Sequence, residues 1–181
     1  AMAVWVQEQI DAGMTTAQIG TYLSEYDEWD RYDLDGDGNF DEPDGYIDHM
    51  QIVHAGGDQA AGDPIYGTDA IWSHRWFANL QAGGPHGFVG FDIGTRGGIV
   101  SSALVPNNPT GVWVFDYTIQ PENGGLSTIA HEYGHDLGLP DLYDVIGQQG
   151  TSIEFWDLMN TGSHSGPVFQ SMPAHMGLWD K

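Results

Sequence analysis

The residues best spaced for chemistry lie in "HEYGHDLGLPD", which runs from His131 to Asp141. A helix turns about 100° per residue. Measured from Leu126, His131 and His135 then fall at about 140° and 180° on the wheel. They sit one turn apart, where two imidazoles can hold a single ion. Glu132 stands beside them, able to polarise a metal-held water without being a ligand. A catalytic zinc needs a third protein ligand and one open position. Gly138 can take the left-handed turn that ends the helix, and Pro140 stops the helix resuming. Asp141 can then swing back beneath the ion as the third ligand. Glu154, nineteen residues past His135, is the competing third ligand, as in sites completed by a distant glutamate. That arrangement expects a helix around it, and "GQQGTSIEF" has no helical pattern, so Asp141 is preferred. Asp144 is a weaker contender for the same place and is read as a brace for the loop.

The same wheel predicts how the helix, from about Leu126 to Leu137, is positioned. Leu126, Ile129, Ala130, Tyr133 and Leu137 cluster within roughly 60°. This apolar stripe is expected to pack into the core and leave the imidazoles on the opposite face. Met159, downstream in "DLMNTG", would alone be read as core filling. Of the other histidines, His49, His54, His74, His86 and His175 are read as loop or sheet residues. His164, in "TGSHSG", is expected near the cleft.

A second constellation is "DLDGDGNFDEPD". Asp33, Asp35 and Asp37 stand at loop positions one, three and five. Gly38 is at six, Asn39 at seven, Asp41 at nine and Asp44 at twelve. Calcium takes six to eight hard oxygens, and this spacing wraps a chain around one ion with glycine at the sharp turn. An EF-hand carries glutamate at twelve and a helix on each side. Here the shorter Asp44 and a following strand pattern point to a structural calcium ion rather than a sensor. Without a cation, so many carboxylates would repel one another.

The elements around these motifs are those of one α+β domain. Residues 3 to 26 read as helix, broken at Gly13. "YIDHMQIVHAG", "AIWSHRWF", "GGIVSSALV" and "GVWVFDYTI" read as strands separated by Gly, Pro and Asn. The chain has 181 residues, enough to bury a core, with 40% hydrophobic residues and seven tryptophans. Four Lys+Arg against 26 Asp+Glu give a formal charge of −22. That field disfavours nucleic acid and anionic membrane surfaces and suits a chain that holds cations. The chain has no cysteine, so any metal must sit on His, Asp, Glu or carbonyl groups. It contains no apolar run of membrane-spanning length and no signal peptide. It opens inside a helical pattern, as a piece of a longer precursor would.

Taken together, "HEYGHDLGLPDLYD", "WDLMNTGSHSG", "YDLDGDGNFDEPDGYIDHMQIVHAG" and "DAIWSHRW" resemble the immune inhibitor A family of secreted bacterial metallopeptidases, relatives of the metzincins. The resemblance runs from about Tyr32 to Gly166. It implies a zincin/metzincin-like catalytic domain with a mixed sheet, an active-site helix and an irregular C-terminal lobe. It implies a zinc endopeptidase with calcium sites, exported, made with a propeptide and further domains, and acting on protein or peptide substrates. Carried onto this sequence, His131, His135 and Asp141 correspond to zinc ligands, Glu132 to the general base and Met159 to the methionine turn beneath the metal. On this reading residues 1–181 are one catalytic domain. Residues 1–138 form a lobe with the calcium loop and active-site helix, and 139–181 a lobe with the methionine turn.

A different class remains open on sequence: a calcium-stabilised, non-enzymatic binding or adhesion module with a vestigial zinc site. Glu132 discriminates, because a decayed site has no reason to keep the base. Arg75 and the tryptophans Trp72, Trp76 and Trp113 could line a substrate pocket or equally belong to the core.

Overall fold

The computed structural model describes residues 2–33, 35–78, 91–92, 110–144, 153–178 and 180. In chain order the elements are α1 (Met2–Asp11), α2 (Thr16–Leu23), β1 (Gln51–His54), β2 (His74–Phe77), β3 (Phe91–Asp92), β4 (Trp113–Val114), β5 (Asp116–Pro121) and α3 (Leu126–Asp136). One sheet has the order β1-β5-β2, and β3 pairs with β4 in a second. β1 and β5 run parallel, with Gln51 opposite Thr118 and His54 opposite Pro121. β3 and β4 are antiparallel. The class is therefore α+β, as the sequence predicts. No helix among the described residues is long and apolar enough to cross a membrane. The strand expected in "GGIVSSALV" and His86 lie outside the described residues.

The chain forms two compact units, Ala1–Met50 with Phe77–Tyr117, and Gln51–Trp76 with Thr118–Lys181. In the first, α1 and α2 are separated at Gly13, whose φ of 96° ends the first helix. Thr15 then caps α2. Its side chain accepts from Gln18 N–H while the Gln18 side chain returns to the Thr15 N–H, a reciprocal box that starts the second helix. The core here is Val6, Ile19, Leu23, Ile47, Val112 and Val114. A Cβ at Gly20 would run into the carbonyl of Thr110, so glycine is what lets the turn at Thr110 approach α2.

Two expected strands are shorter than the sequence pattern. Within "YIDHMQIVHAG" only Gln51–His54 forms a strand, and Tyr46 makes an isolated bridge to Trp113. The reason lies at Asp48. Its N–H goes to the Tyr26 carbonyl, and its carboxylate accepts from the Glu28 and Trp29 N–H groups. The backbone is therefore tied to the preceding loop instead of a neighbouring strand. "GVWVFDYTI" is interrupted at Phe115, whose carbonyl accepts from Ala78 N–H.

In the second unit, β5 leads through a glycine turn into α3. Gly125 precedes the helix, and a Cβ there would overlap Gln170. That close approach lets the Gln170 carbonyl accept the Ser127 N–H, serving one of the helix's unpaired first-turn donors.

Candidate metal centre

Helix α3 begins at Leu126, as the wheel predicts, but its faces are buried the other way round. Leu126, Tyr133 and Leu137 are 61%, 44% and 54% exposed, and Ile129 lies on the same open side. Buried instead are Ser127, Thr128, His131, Glu132, Gly134 and Asp136. The wheel separated the faces but could not say which one the rest of the unit covers. The polar face is covered because the loop after α3 and the turn at Asp157–Asn160 both fold onto it.

That loop is built by the helix end. Gly138 has φ 90°, its N–H goes to the His135 carbonyl, and Leu139 N–H goes to the Gly134 carbonyl. This six-to-one, five-to-two pair reverses the chain. Leu139 O then accepts from His135 Nδ1 at 2.7 Å. His131 Nδ1 makes the matching bond to Leu158 O at 2.9 Å. With both Nδ1 atoms donating to carbonyls, both Nε2 atoms carry free lone pairs. They meet one oxygen. Asp141 Oδ1 lies 3.2 Å from His131 Nε2 and 3.1 Å from His135 Nε2.

Asp141 Oδ1 is buried and has no partner in hydrogen-bonding geometry. One atom from each of the three side chains thus faces the others at ligand spacing, an arrangement that could hold one cation. Zinc–nitrogen bonds of about 2.0–2.1 Å give tetrahedral ligand–ligand edges of about 3.3 Å. The observed separations fit that edge. His131, His135 and Asp141 therefore suit zinc, and their carbonyl partners supply the outer contacts that fix imidazole orientation.

The turn at Asp157–Asn160 braces both sides of this group. Met159 is fully buried, and its N–H donates to Asp157 Oδ1 at 2.8 Å. Its carbonyl accepts from Leu142 N–H at 2.8 Å, while Asn160 Nδ2 donates to Leu142 O at 2.7 Å. Asn160 was not singled out in the sequence; its neighbour Met159 was the only signal there. Tyr143, also missed, stacks its ring on His131 at 6.3 Å and 16°. Burial, with the Asp141 carboxylate beside it, holds the Tyr143 phenol above its usual range.

Glu132 is 4% exposed, and its Oε2 is buried without a hydrogen-bond partner. Burial pushes its carboxyl up to about 7, against the pull of the two imidazoles. Burial would also raise Asp141, but the imidazoles outweigh it and hold that carboxylate well below the usual range. For His135, burial disfavours the charged form, yet Asp141 and the Leu139 carbonyl prevail and raise it.

A cavity of about 630 Å³ opens over these residues, lined also by Asp58, Trp72, His74, Arg75, Trp76, Asp144 and His164. His164 stacks on Phe169 at 5.0 Å, and burial, then the nearby His131, lower its pKa. His74, read from sequence as a loop or sheet residue, begins β2 and is in the lining too. Asp58 left no signal in the sequence, because it lies far along the chain from the helix. Glu154 is exposed, begins the short turn Glu154–Trp156 and does not line the cavity. Trp113 lies on β4 in the other unit.

In that other unit, the acidic loop forms two overlapping groups. Carboxylates of Asp30, Asp33 and Asp35 come within 4.8 Å of one another, and so do those of Asp35, Asp37 and Glu42. Asp30 and Glu42 had not been singled out. Asn39 Nδ2 donates to Glu42, and Asn39 Oδ1 accepts from Asp41 N–H. Asp41 and Asp44 stand outside both groups. Asp44 is buried, its Oδ1 taken by the Tyr46 N–H and its own N–H by Asp27. Burial, with Asp27, Asp30 and Asp48 nearby, raises its carboxyl to about 6.

Residues 2–181 match the catalytic domain of the immune inhibitor A peptidases, type M6. The chain is similar to immune inhibitor A of Bacillus thuringiensis subsp. alesti, at 44% identity over 172 residues, 94% of this chain and 23% of that protein. It is also similar to the pre-pro-metalloprotease PrtV of Vibrio cholerae serotype O1 (strain M66-2), at 43% identity over 161 residues, 88% of this chain and 16% of that protein. The chain thus spans less than a quarter of the length of these relatives.

Proposed function

The chain belongs to the immune inhibitor A peptidase family, and from that membership we propose that it carries the catalytic site of a zinc-dependent endopeptidase. The observation that carries the reading is the meeting of His131 Nε2, His135 Nε2 and Asp141 Oδ1, with Glu132 buried beside them at the floor of a cavity. Zinc bound there would supply Lewis-acid polarisation of the scissile carbonyl and of water.

The chain's own residues do the rest. His131, His135 and Asp141 hold the ion, each imidazole aimed by its carbonyl partner. Glu132 takes a proton from the attacking water and passes it to the leaving amine. Its burial supports this role, since a base works best with a pKa near the operating pH. Met159 and Asn160 keep the ligand loop and helix in register.

Protein or peptide substrates, a propeptide, further domains and export belong to the same proposal. The much longer relatives, one of them named a pre-pro-metalloprotease, support them. Calcium is proposed as a structural ion in the loop from Asp33 to Asp44. The two close carboxylate groups, with Asp35 in both, support that reading. The test of the catalytic reading is zinc content by mass spectrometry together with casein cleavage, before and after zinc removal. Stoichiometric zinc with zinc-dependent cleavage is expected. A zinc-loaded, folded protein that cleaves nothing would instead indicate a vestigial site.

A further inference from the structure

We propose that Asp58 selects a positively charged substrate side chain, lysine or arginine, in the cavity that holds Glu132. The inference rests on the peptidase reading and goes beyond it by naming the substrate class.

Asp58 is 2% exposed. Its Oδ1 accepts the Ala60 N–H at 3.2 Å and the Ser73 N–H at 3.0 Å, which fixes the carboxylate in place. Its Oδ2 is buried and has no hydrogen-bond partner. An ionised carboxylate only accepts hydrogen bonds, so the missing partner must be a donor. A buried carboxylate also needs a compensating positive charge. Arg75 is the one permanent cation among the described lining residues.

Asp58 lines the same cavity as Glu132 and His164. Trp72 and Trp76 line the same space and are 55% and 56% exposed. Indole faces suit the aliphatic stem and the cationic head of lysine or arginine. The cavity therefore offers an unspent, fixed carboxylate beside aromatic surface, next to the group read as the base. A side chain without a donor would leave Asp58 Oδ2 unpaired, and a neutral donor would leave its charge uncompensated.

The test compares end-blocked fluorogenic peptides that differ at one position near the scissile bond, carrying arginine, lysine or citrulline. Citrulline keeps the shape of arginine without its charge. The zinc-loaded wild-type protein should favour arginine over citrulline by about thirtyfold or more in kcat/KM, the scale of one buried charge pair. In Asp58→Asn, which retains an acceptor for Ala60 and Ser73, that ratio should fall towards one, whatever the absolute rate. Arginine amide and citrulline amide should also be titrated calorimetrically into Glu132→Gln protein, with and without the Asp58 change. Binding of arginine amide that depends on Asp58 is expected. Peptide cleavage without an arginine-to-citrulline ratio, or a ratio unchanged in Asp58→Asn, overturns the proposal and leaves the peptidase reading intact. Asp58-dependent binding of arginine amide without cleavage of any peptide upholds the cation site and overturns the peptidase reading instead.

Discussion

The sulfur of Met159 lies against the bare backbone of Gly134, one residue before His135. A Cβ built on Gly134 would stand 2.5 Å from Met159 Sδ and 3.2 Å from its Cε. The same turn holds His131 through the Leu158 carbonyl and the ligand loop through Leu142. The methionine therefore packs against the helix that carries both histidines. Gly134→Ala isolates that contact. Alanine in a helix interior ordinarily stabilises by about 0.5–1 kcal/mol over glycine. Overpacking costs about 1–3 kcal/mol, so the clash should win. The variant should melt below wild type and bind zinc roughly 10–100-fold more weakly, as for other changes that disturb ligand support. A melting temperature above wild type with unchanged zinc affinity would show that Met159 is only core filling.

Glu132→Gln should keep the fold and zinc but lose nearly all hydrolysis. The amide fills the same buried space and can still hydrogen-bond water. It cannot accept a proton, and loss of a general base commonly costs 10²–10⁴-fold. The measurement is kcat on casein-derived peptides beside metal content. Turnover within a few-fold of wild type would remove Glu132 from the mechanism.

Asp141→Ala should strip zinc binding, whereas Glu154→Ala should not. The motive is position: Asp141 Oδ1 is within 3.2 Å of both Nε2 atoms, and Glu154 is exposed away from the cavity. Competition against a chelator of known affinity reads the difference. The reverse ranking would place the site among those completed by a distant glutamate.

How much of this was legible in the sequence depends on how local each determinant is. The two histidines, the glycine-led reversal and the return of Asp141 lie within eleven consecutive residues, so their spacing is readable locally. The burial of α3 was not legible, because a wheel separates faces without saying which one another segment covers. Here the Asp157–Asn160 turn lies over the polar face, an arrangement fixed by side-chain-to-carbonyl bonds such as His131 to Leu158. Asp58 and Tyr143 reach the cavity by tertiary folding and carry no local pattern. The strand of "YIDHMQIVHAG" was overestimated for a related reason. Its apolar content suggested continuous pairing, but Asp48 diverts the backbone to Glu28 and Trp29.

Calcium should stabilise the protein through the acidic loop, and Asp35 should be its most sensitive residue. Asp35 belongs to both carboxylate groups, with Asp30 and Asp33 on one side and Asp37 and Glu42 on the other. Unneutralised carboxylates a few ångströms apart repel by about 1–4 kcal/mol per pair, nearer the lower figure where water reaches them, as on most of this loop. Calcium at a hundredfold excess over its dissociation constant adds about 2.7 kcal/mol by mass action. That corresponds to a rise of roughly 5–10 °C in Tm for a chain of this size. Removing calcium while zinc stays in place should reverse the rise and open residues 33–44 to proteolysis. Activity should then fall through loss of folded protein rather than loss of chemistry. Asp35→Asn separates this from a solvated turn by its sign. Without calcium the variant should be as stable as wild type or slightly more so, because repulsion is relieved. With calcium it should lag behind, because two ligand groups have lost a charge. Melting curves of both proteins with and without calcium, at fixed zinc, give the comparison. Identical calcium responses in the two would mean that the loop holds no structural ion at these residues.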